Sequence, residues 1–245
     1  MLAGSADVGA LARRAPKLAS FDGEALTLPG VEILQVTYEL GGVAPEAPFP
    51  PALHPTLPVL AVLAVWRAAA GPLGPFALAQ WKLSCRSGAR PRQLLVGSFA
   101  DGEPARAALN ERFAFAAAPA RVRLERGYDR VAAGVELGGR AVLDVTGRGP
   151  LPLATGDLQF FSSVHAADTP TGLRLVQIDA EYAVARAERA APEVACFDAA
   201  AFGLPGARLA YPVAAFVAVA DVTLPRVRFV SRADVPAFAG TERVS

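Results

Sequence analysis

The chain has 245 residues, of which 53% are hydrophobic and 19% are charged. That composition can bury a full core, so it excludes a disordered chain, a fibrous repeat and a small disulfide-stapled domain. The 24 basic and 23 acidic side chains give a net charge of +1, which leaves no field to attract nucleic acid or an anionic bilayer. The longest apolar run, residues 57–66, is about half of the roughly 20 residues that a spanning helix needs. We therefore expect no nucleic-acid partner and no membrane partner.

The terminal segment and the cysteines predict a cytoplasmic protein. Arg13, Arg14 and Lys17 follow a short apolar stretch, which reverses the basic-then-apolar order of a secretory signal. Cys85 and Cys196 are typical of small buried hydrophobic residues in an intracellular chain.

The usual cofactor signatures are absent. The sequence contains no GxGxxG, GxxxxGK[ST], HExxH or GxSxG motif, and its two histidines, His54 and His165, show no metal-ligand spacing with the cysteines. We predict neither a cofactor nor a metal ion.

In chain order, residues 1–20 fit either a short amphipathic helix or a frayed terminus, and the six prolines within residues 45–58 predict a long loop. One confident helix is predicted over residues 104–112, with Pro104 in its first turn. Apolar and alternating segments separated by Gly-rich turns predict strands over residues 31–40, 59–66, 76–85, 94–99, 122–124, 131–137, 141–145, 158–164, 173–178, 213–222 and 227–230. Such closely spaced strands favour an antiparallel sheet that closes or forms a sandwich. Residues 232–245 resemble a polar tail, and nothing marks a linker, so we predict one domain over residues 1–245 with residues 1–20 and 232–245 peripheral.

Polar side chains alternate near the predicted strand 158–164. Gln159, Ser163 and His165 are predicted to project from one face of it, together with Phe161. A ligand cavity would supply partners for these groups, and a solvated outer face is the alternative.

The strand over residues 76–85 carries one of the two lysines of the chain. Leu78, Gln80 and Lys82 share one face of it, and Trp81 belongs to the other, where we expect it to contact a helix or a neighbouring subunit. Residues 47–100 contain no carboxylate. If the Gln80 side faces a cavity, desolvation lowers the pKa of Lys82 and makes its amine available as a nucleophile; otherwise Lys82 lies at the surface.

Short motifs occur in a characteristic order: Gly74-Pro75-Phe76, Asp101-x-Glu103-Pro104-Ala105, Phe197-Asp198 and Ala220-Asp221-Val222-Thr223-Leu224-Pro225. In this order and spacing, over residues 31–230, the sequence resembles the acetoacetate decarboxylase superfamily. The resemblance implies a closed antiparallel β-barrel with a few short helices, a central cavity and a homo-oligomer. It also implies an active site in which a lysine forms a Schiff base with a β-keto acid, aided by a second lysine, two glutamates and an arginine.

The matching positions of this chain lack those groups. The lysine pair falls at about Ala117 and Ala118, one glutamate falls at Leu78, the other falls within residues 60–65, and the arginine falls near Val31. The resemblance therefore predicts the fold and argues against the family reaction.

Two functions compete at this point. The first is a binding protein for a small polar or carbonyl compound, with a cavity lined by Gln80, Gln159, Ser163 and His165. The second is a lyase acting on a small keto acid, in which Lys82 supplies a relocated amine or His165 and Glu111 perform acid–base chemistry. An oligomeric scaffold without a ligand is a third alternative.

Overall fold

The structure is a computed structural model that describes residues 2–244. These residues form three α-helices, α1 Val8–Arg14, α2 Glu103–Phe113 and α3 Ala237–Gly240, and one 3₁₀ turn, Thr155–Asp157. The strands are β1 Leu26–Gly41, β2 His54–Pro55, β3 Leu60–Ala68, β4 Phe76–Ser87, β5 Arg90–Asp101, β6 Ala117–Pro119, β7 Arg121–Arg126, β8 Arg130–Leu137, β9 Arg140–Pro152, β10 Ser163–Thr169, β11 Gly172–Ile178, β12 Glu181–Phe197, β13 Arg208–Leu224, β14 Phe229–Arg232 and β15 Thr241–Arg243. The protein is mainly β, as predicted. No helix within residues 2–244 has the length and apolar character needed to cross a membrane.

All the strands belong to one sheet with the order β15-β14-β11-β10-β5-β4-β3-β1-β13-β12-β9-β8-β7, and β2 and β6 pair with β4 and β5 beside this path. The closed barrel predicted from the resemblance is wrong, because this order has two ends and no ladder within residues 2–244 joins β7 to β15. Strand twist curls a sheet of this size, and β7 packs against β3, β4 and β5. The curled sheet therefore encloses a core without completing a hydrogen-bonded ring.

Alternating side chains divide the sheet between two cores. Leu78 on β4 belongs to a core that also contains α2, whereas Trp81 belongs to a core between β4 and β7–β9. The indole of Trp81 is fully buried, with ring centroids 4.9 Å from Phe197 and 5.9 Å from Phe202. The predicted alternation is thus present, but Trp81 packs in an aromatic core and not against a helix. We call the opposite side, which carries Leu78, Gln80 and Lys82, the Gln80 face.

Helix α2 forms where it was predicted. Pro104 occupies its first turn, and Ala105, Leu109 and Phe113 are buried at a spacing of four residues, which places them on one side of the helix. The helix ends at Ala114, whose φ of 52° is left-handed and whose backbone N–H bonds to the carbonyls of Asn110 and Leu109. After the helix ends here, the chain changes direction and continues into β6 at the edge of the Gln80 face.

Several segments differ from the sequence prediction. Residues 158–162 lie outside any strand, because their apolar side chains cover a cavity and β10 begins only at Ser163. Strand β12 was not predicted. The C-terminal segment is more than a polar tail, since α3 and β15 form there and β15 pairs with β14. At the other end, α1 forms over residues 8–14, and Leu18 is completely buried.

Candidate functional site

Cross-strand pairing arranges the Gln80 face in rows, because residues paired across antiparallel strands project to the same side. The row through Gln80 contains Phe216, Gln35, Ala64, Gln80, Ser98 and Ala117. The next row contains Ala214, Thr37, Val62, Lys82 and Leu95. The register therefore brings Lys82 and Gln80 close to Ala117, the approximate position to which the sequence resemblance assigns the first lysine.

Lys82 is buried without a partner. Its side chain is 5% exposed, and burial alone lowers its pKa to about 8. Burial is the one cause of this shift, so no neighbouring acid within residues 2–244 raises the pKa of its ammonium group. The other lysine, Lys17, is exposed. Lys82 is therefore the one lysine of this chain whose amine the fold desolvates.

The side-chain amide of Gln80 is a second buried donor group near Lys82. It is 2% exposed, and its Nε2 has no hydrogen-bond partner within residues 2–244. A buried amide without a partner costs about 1–3 kcal/mol. Two donor groups in adjacent rows of one face thus lack acceptors from the protein.

Ser163 and His165 form a hydrogen-bonded pair on β10. His165 Nδ1 lies 2.8 Å from the carbonyl oxygen of Phe113, and His165 Nε2 lies 2.8 Å from Ser163 Oγ. A carbonyl oxygen only accepts, so Nδ1 carries the proton and Nε2 accepts from the serine hydroxyl. Burial lowers the pKa of His165 to about 3, and the charge of Lys82 adds to this effect. His165 is therefore neutral at physiological pH, and its tautomer is fixed.

Aromatic rings enclose this polar cluster. The Phe115 ring stands edge-on to His165 at 4.6 Å, and Trp66 lies 6.4 Å from Phe115 and 6.2 Å from Tyr182 between ring centroids. Tyr182 stacks on Phe160 at 3.9 Å. Burial raises the pKa of Tyr182, so its hydroxyl stays protonated. The cluster lies in apolar surroundings, where electrostatic interactions and hydrogen bonds are stronger than in water.

A cavity of about 500 Å³ lies beside the row of Lys82, although Lys82 itself is not among the residues that line it. Three members of the Lys82 row, Ala214, Thr37 and Val62, line it, as do the neighbouring Ser84 and Gln93. Lys82 lies two residues before Ser84 on the same side of β4. Gln93 also pairs with Ser163, which connects the cavity wall to β10. The cavity is large enough for a small organic ligand.

The structure places the predicted residues at different depths. Gln80, Lys82, Ser163 and His165 are buried and are not among the residues that line the cavity, whereas Gln159 is exposed and lines it from the segment that precedes β10. The prediction that Gln159 shares a strand face with Ser163 is wrong, because β10 starts at Ser163.

Glu111 does not join the site. It is exposed on α2, and both ring nitrogens of His165 bond to other groups. The alternative in which His165 and Glu111 form an acid–base pair therefore has no support from the geometry.

Sequence reasoning missed some of the enclosing residues. Ser98 donates to the carbonyl of Phe115 at 2.7 Å and pairs with Gln80, which only the strand register reveals. Tyr182 and Arg189 come from β12, where alternation is interrupted by a register shift between Val184 and Arg186. The alternating pairs Tyr182 and Val184, and Val194 and Cys196, are the sequence signal that could have indicated this strand.

Two hydrogen bonds from Asn110, which we call the clamp, hold the backbone of Ala117, where the resemblance places the first lysine. Asn110 Nδ2 donates to the Ala117 carbonyl at 3.0 Å, and the Ala117 N–H donates to Asn110 Oδ1 at 2.7 Å. Ala114 and Ala116 on either side of Phe115 both have left-handed backbones, with φ of 52° and 51°. Ala117 is buried on the Gln80 face, whereas Ala118 is exposed. The backbone near position 117 is therefore strained and fixed, although its side chain carries no chemistry.

Removing the clamp should destabilise the protein. We expect Asn110→Ala to lower the free energy of unfolding by about 1–3 kcal/mol, because both Ala117 backbone groups lose a partner. Urea unfolding measures this change. Asn110→Asp is the matched control, since it keeps the acceptor and loses only the donor; an Asn110→Ala protein as stable as wild type would contradict the clamp.

A second cavity of about 510 Å³ lies beneath α1 and is lined by Ala116 and Ala118, Asp7 and Arg14. Its charged groups are engaged, since Asp7 accepts from the Gly9 N–H and Arg14 donates to the Gly203 carbonyl. Within residues 2–244 no cluster of His, Cys, Asp or Glu is arranged to hold a metal ion. The cavity beside Lys82 is the stronger candidate site, because the strand row that lines it also holds the desolvated Lys82.

No protein-family model and no curated protein matches the sequence. Solved structures do match. Acetoacetate decarboxylase from Legionella pneumophila aligns with a TM-score of 0.70 at 14% identity, over 84% of this chain and 86% of that chain. An acetoacetate decarboxylase-like enzyme from Sphingomonas wittichii gives 0.62 at 14% identity over 93% and 96%. The enduracididine biosynthesis enzyme MppR complexed with pyruvate gives 0.62 at 18% identity over 83% and 89%. The chain thus has the acetoacetate decarboxylase-like fold, and the resemblance predicted from its motifs is confirmed for the fold.

Proposed function

We propose that this protein binds a small polar or carbonyl compound in the cavity beside Lys82 and releases it without Schiff-base decarboxylation. The observation that carries the proposal is a cavity of about 500 Å³ lined by Thr37 and Val62, whose strand row also holds the buried and desolvated Lys82. Buried charges in proteins are normally paired, so a ligand group is the natural partner here. The unmet Gln80 amide in the adjacent row supports the same conclusion.

Binding fits the polar groups better than turnover does. A Schiff-base reaction needs an amine and a group that moves protons during dehydration. His165 uses both ring nitrogens in hydrogen bonds and has a pKa near 3, and no carboxylate affects the pKa of Lys82. The family lysine positions hold alanines at 117 and 118.

Titration calorimetry tests the binding. We expect small oxo compounds such as pyruvate, acetoacetate or diacetyl to bind with one site per chain, and Lys82→Met to weaken the tightest of them by at least about tenfold. Lys17→Met is the matched control and should bind as wild type does, because Lys17 is exposed. Equal affinity in wild type and Lys82→Met would remove the basis of the proposal.

The protein should not decarboxylate acetoacetate. We expect carbon dioxide release to equal that of a heat-treated sample, because no lysine stands at Ala117 or Ala118. Ala117→Lys alone should not restore the reaction, since the neighbouring cation and the glutamates are also missing and nucleophile activation depends on the whole set. Release above background in the unheated wild type would overturn this expectation.

One observation favours a second function, a lyase acting on a small keto acid through an imine on Lys82. Burial lowers the pKa of Lys82 to about 8, so a useful fraction of the Lys82 side chains carries a neutral amine near neutral pH. The structural neighbour MppR is complexed with pyruvate, so pyruvate is the first probe. Borohydride with pyruvate would then add mass to wild type and not to Lys82→Met; the binding proposal predicts no added mass in either.

The resemblance also implies that the chain acts as one domain and assembles as a homo-oligomer. Light scattering on the purified full chain tests the assembly. We expect a mass that is a multiple of 25.4 kDa, and a monomer would contradict it.

A further inference from the structure

We infer that the cavity beneath α1 is a second binding site, and that it takes a small neutral apolar compound such as an aromatic hydrocarbon. This cavity is separate from the one beside Lys82, so the inference goes beyond the function proposed above and does not depend on it. It follows from the way the segment around α1 is held and from the side chains that line the cavity.

Residues 4–18 form an arch that is tied to the body of the protein at both ends. Before α1, the Gly4 N–H donates to the Leu53 carbonyl at 2.9 Å. After α1, the Leu18 N–H donates to the Asp168 carbonyl at 2.8 Å. Helix α1 therefore spans the cavity as a fixed bridge, and the space beneath it admits a small molecule more readily than a segment of another protein.

Helix α1 covers the cavity without filling it. None of its seven residues is buried, although Ala10 and Leu11 line the cavity. A helix normally contributes to stability by burying its apolar side. Leu11 remains half-buried, so part of its apolar surface is left uncovered. An apolar ligand beneath the arch would cover that surface.

The walls of the cavity are built largely from small apolar side chains. Several alanines that line it come from the segment after α2 and from β10, namely Ala114, Ala116, Ala118 and Ala166. Residues 201–204 form a further wall that packs directly on β5, because a side chain at Gly97 would collide with the Phe202 carbonyl. These small side chains leave about 510 Å³ unfilled, which is the size of a small-molecule pocket.

The polar groups of the lining explain why the ligand should be neutral. Of the described residues that line the cavity, three have polar side chains. Ser98 is buried, and its hydroxyl donates to the Phe115 carbonyl at 2.7 Å. Asp7 and Arg14 are exposed at the two ends of α1, so they belong to the rim. A charged ligand would lose its hydration inside, whereas apolar cavities readily bind aromatic hydrocarbons.

The experiment compares naphthalene with naphthoate, which has the same rings and a negative charge, by ligand-observed NMR titration of the full chain at pH 7. We expect naphthalene to bind at one site per chain and at least about tenfold more tightly than naphthoate. Ala10→Trp should weaken naphthalene binding by at least about tenfold, because the indole would occupy the cavity. Ala12→Trp is the matched control, since Ala12 lies on the same helix and does not line the cavity.

Two further variants keep the test decisive. Ala166→Leu fills the cavity from β10 and should also weaken naphthalene binding, so the result does not depend on the folding of one variant. Lys82→Met should leave naphthalene binding unchanged, because Lys82 belongs to the other site. No binding to wild type, undiminished binding in Ala10→Trp and Ala166→Leu, weakened binding in Ala12→Trp or Lys82→Met, or tighter binding of naphthoate would each overturn the inference. The titrations with oxo compounds test the cavity beside Lys82 separately.

Discussion

Lys82→Met should raise the free energy of unfolding by about 3 kcal/mol at pH 7. The folded protein lowers the pKa of Lys82 from 10.5 to about 8, and each unit corresponds to about 1.4 kcal/mol. Because the folded-state pKa is lower, the unfolded chain binds more protons between pH 8 and 10.5, and stability rises with pH across that window. Below pH 8 the full penalty is present. Methionine fills a similar volume without charge and removes the penalty.

The pH dependence separates this effect from simple repacking. Urea unfolding should show the gain of Lys82→Met shrinking to about 1 kcal/mol at pH 9.5, because the wild-type penalty is then partly relieved. Lys17→Met should leave stability unchanged at both pH values, since Lys17 is exposed. A destabilised Lys82→Met protein, or a gain independent of pH, would show that the ammonium has a partner in the folded chain.

Acid should destabilise the protein through His165. Its pKa is lowered from 6.5 to about 3 in the folded state, so between these values the unfolded chain binds a proton that the folded chain does not. The stability present above pH 6.5 is therefore lost as the pH falls, by about 3 kcal/mol between pH 6.5 and pH 4. The burial of the ring is the main cause, and the nearby charge of Lys82 acts in the same direction.

His165→Gln tests this assignment. The variant should be less stable than wild type at pH 7, because the Ser163 and Phe113 groups lose well-placed partners. Its stability should change less than that of wild type between pH 6.5 and pH 4. Parallel urea-midpoint curves for the two proteins over this range would assign the acid sensitivity to other groups.

A buried cation that destabilises its own fold is typical of a functional group. Stability alone would favour a methionine at position 82, and natural sequences depart from such rules mainly where function requires it. The same reasoning applies to the unmet Gln80 amide one pleat away. The two costs fall on neighbouring positions of one face of β4.

The sequence predicts the features of the site that depend on local alternation. Leu78, Gln80 and Lys82 share one face because the side chains of a strand alternate with a period of two residues. The sequence itself shows that residues 47–100 contain no acidic side chain. The short motifs between Gly74 and Pro225 were sufficient to predict the fold, although the overall identity to solved structures is only 14–18%.

Features that depend on long-range pairing could not be predicted. The open ends of the sheet at β7 and β15 depend on which distant strands meet, and β12 lacks a continuous apolar pattern because much of it is exposed. The irregular segment that carries Gln159 resembles a strand in its apolar content, yet it covers the cavity. The fixed tautomer of His165 depends on the carbonyl of Phe113, which is 52 residues away in the chain. No local pattern contains that information.

The central claim is that the cavity beside Lys82 holds a small oxo compound and leaves it unchanged, and one NMR measurement tests both parts. Carbon-13-labelled pyruvate is incubated with the full chain at pH 7, and saturation transfer from the protein and the ligand's own resonances are followed together. We predict saturation transfer that disappears in Lys82→Met and persists in Lys17→Met, with ligand resonances that neither decrease nor give new products. Consumption of the ligand with new product signals, or transfer that is unaffected by Lys82→Met, would contradict the account.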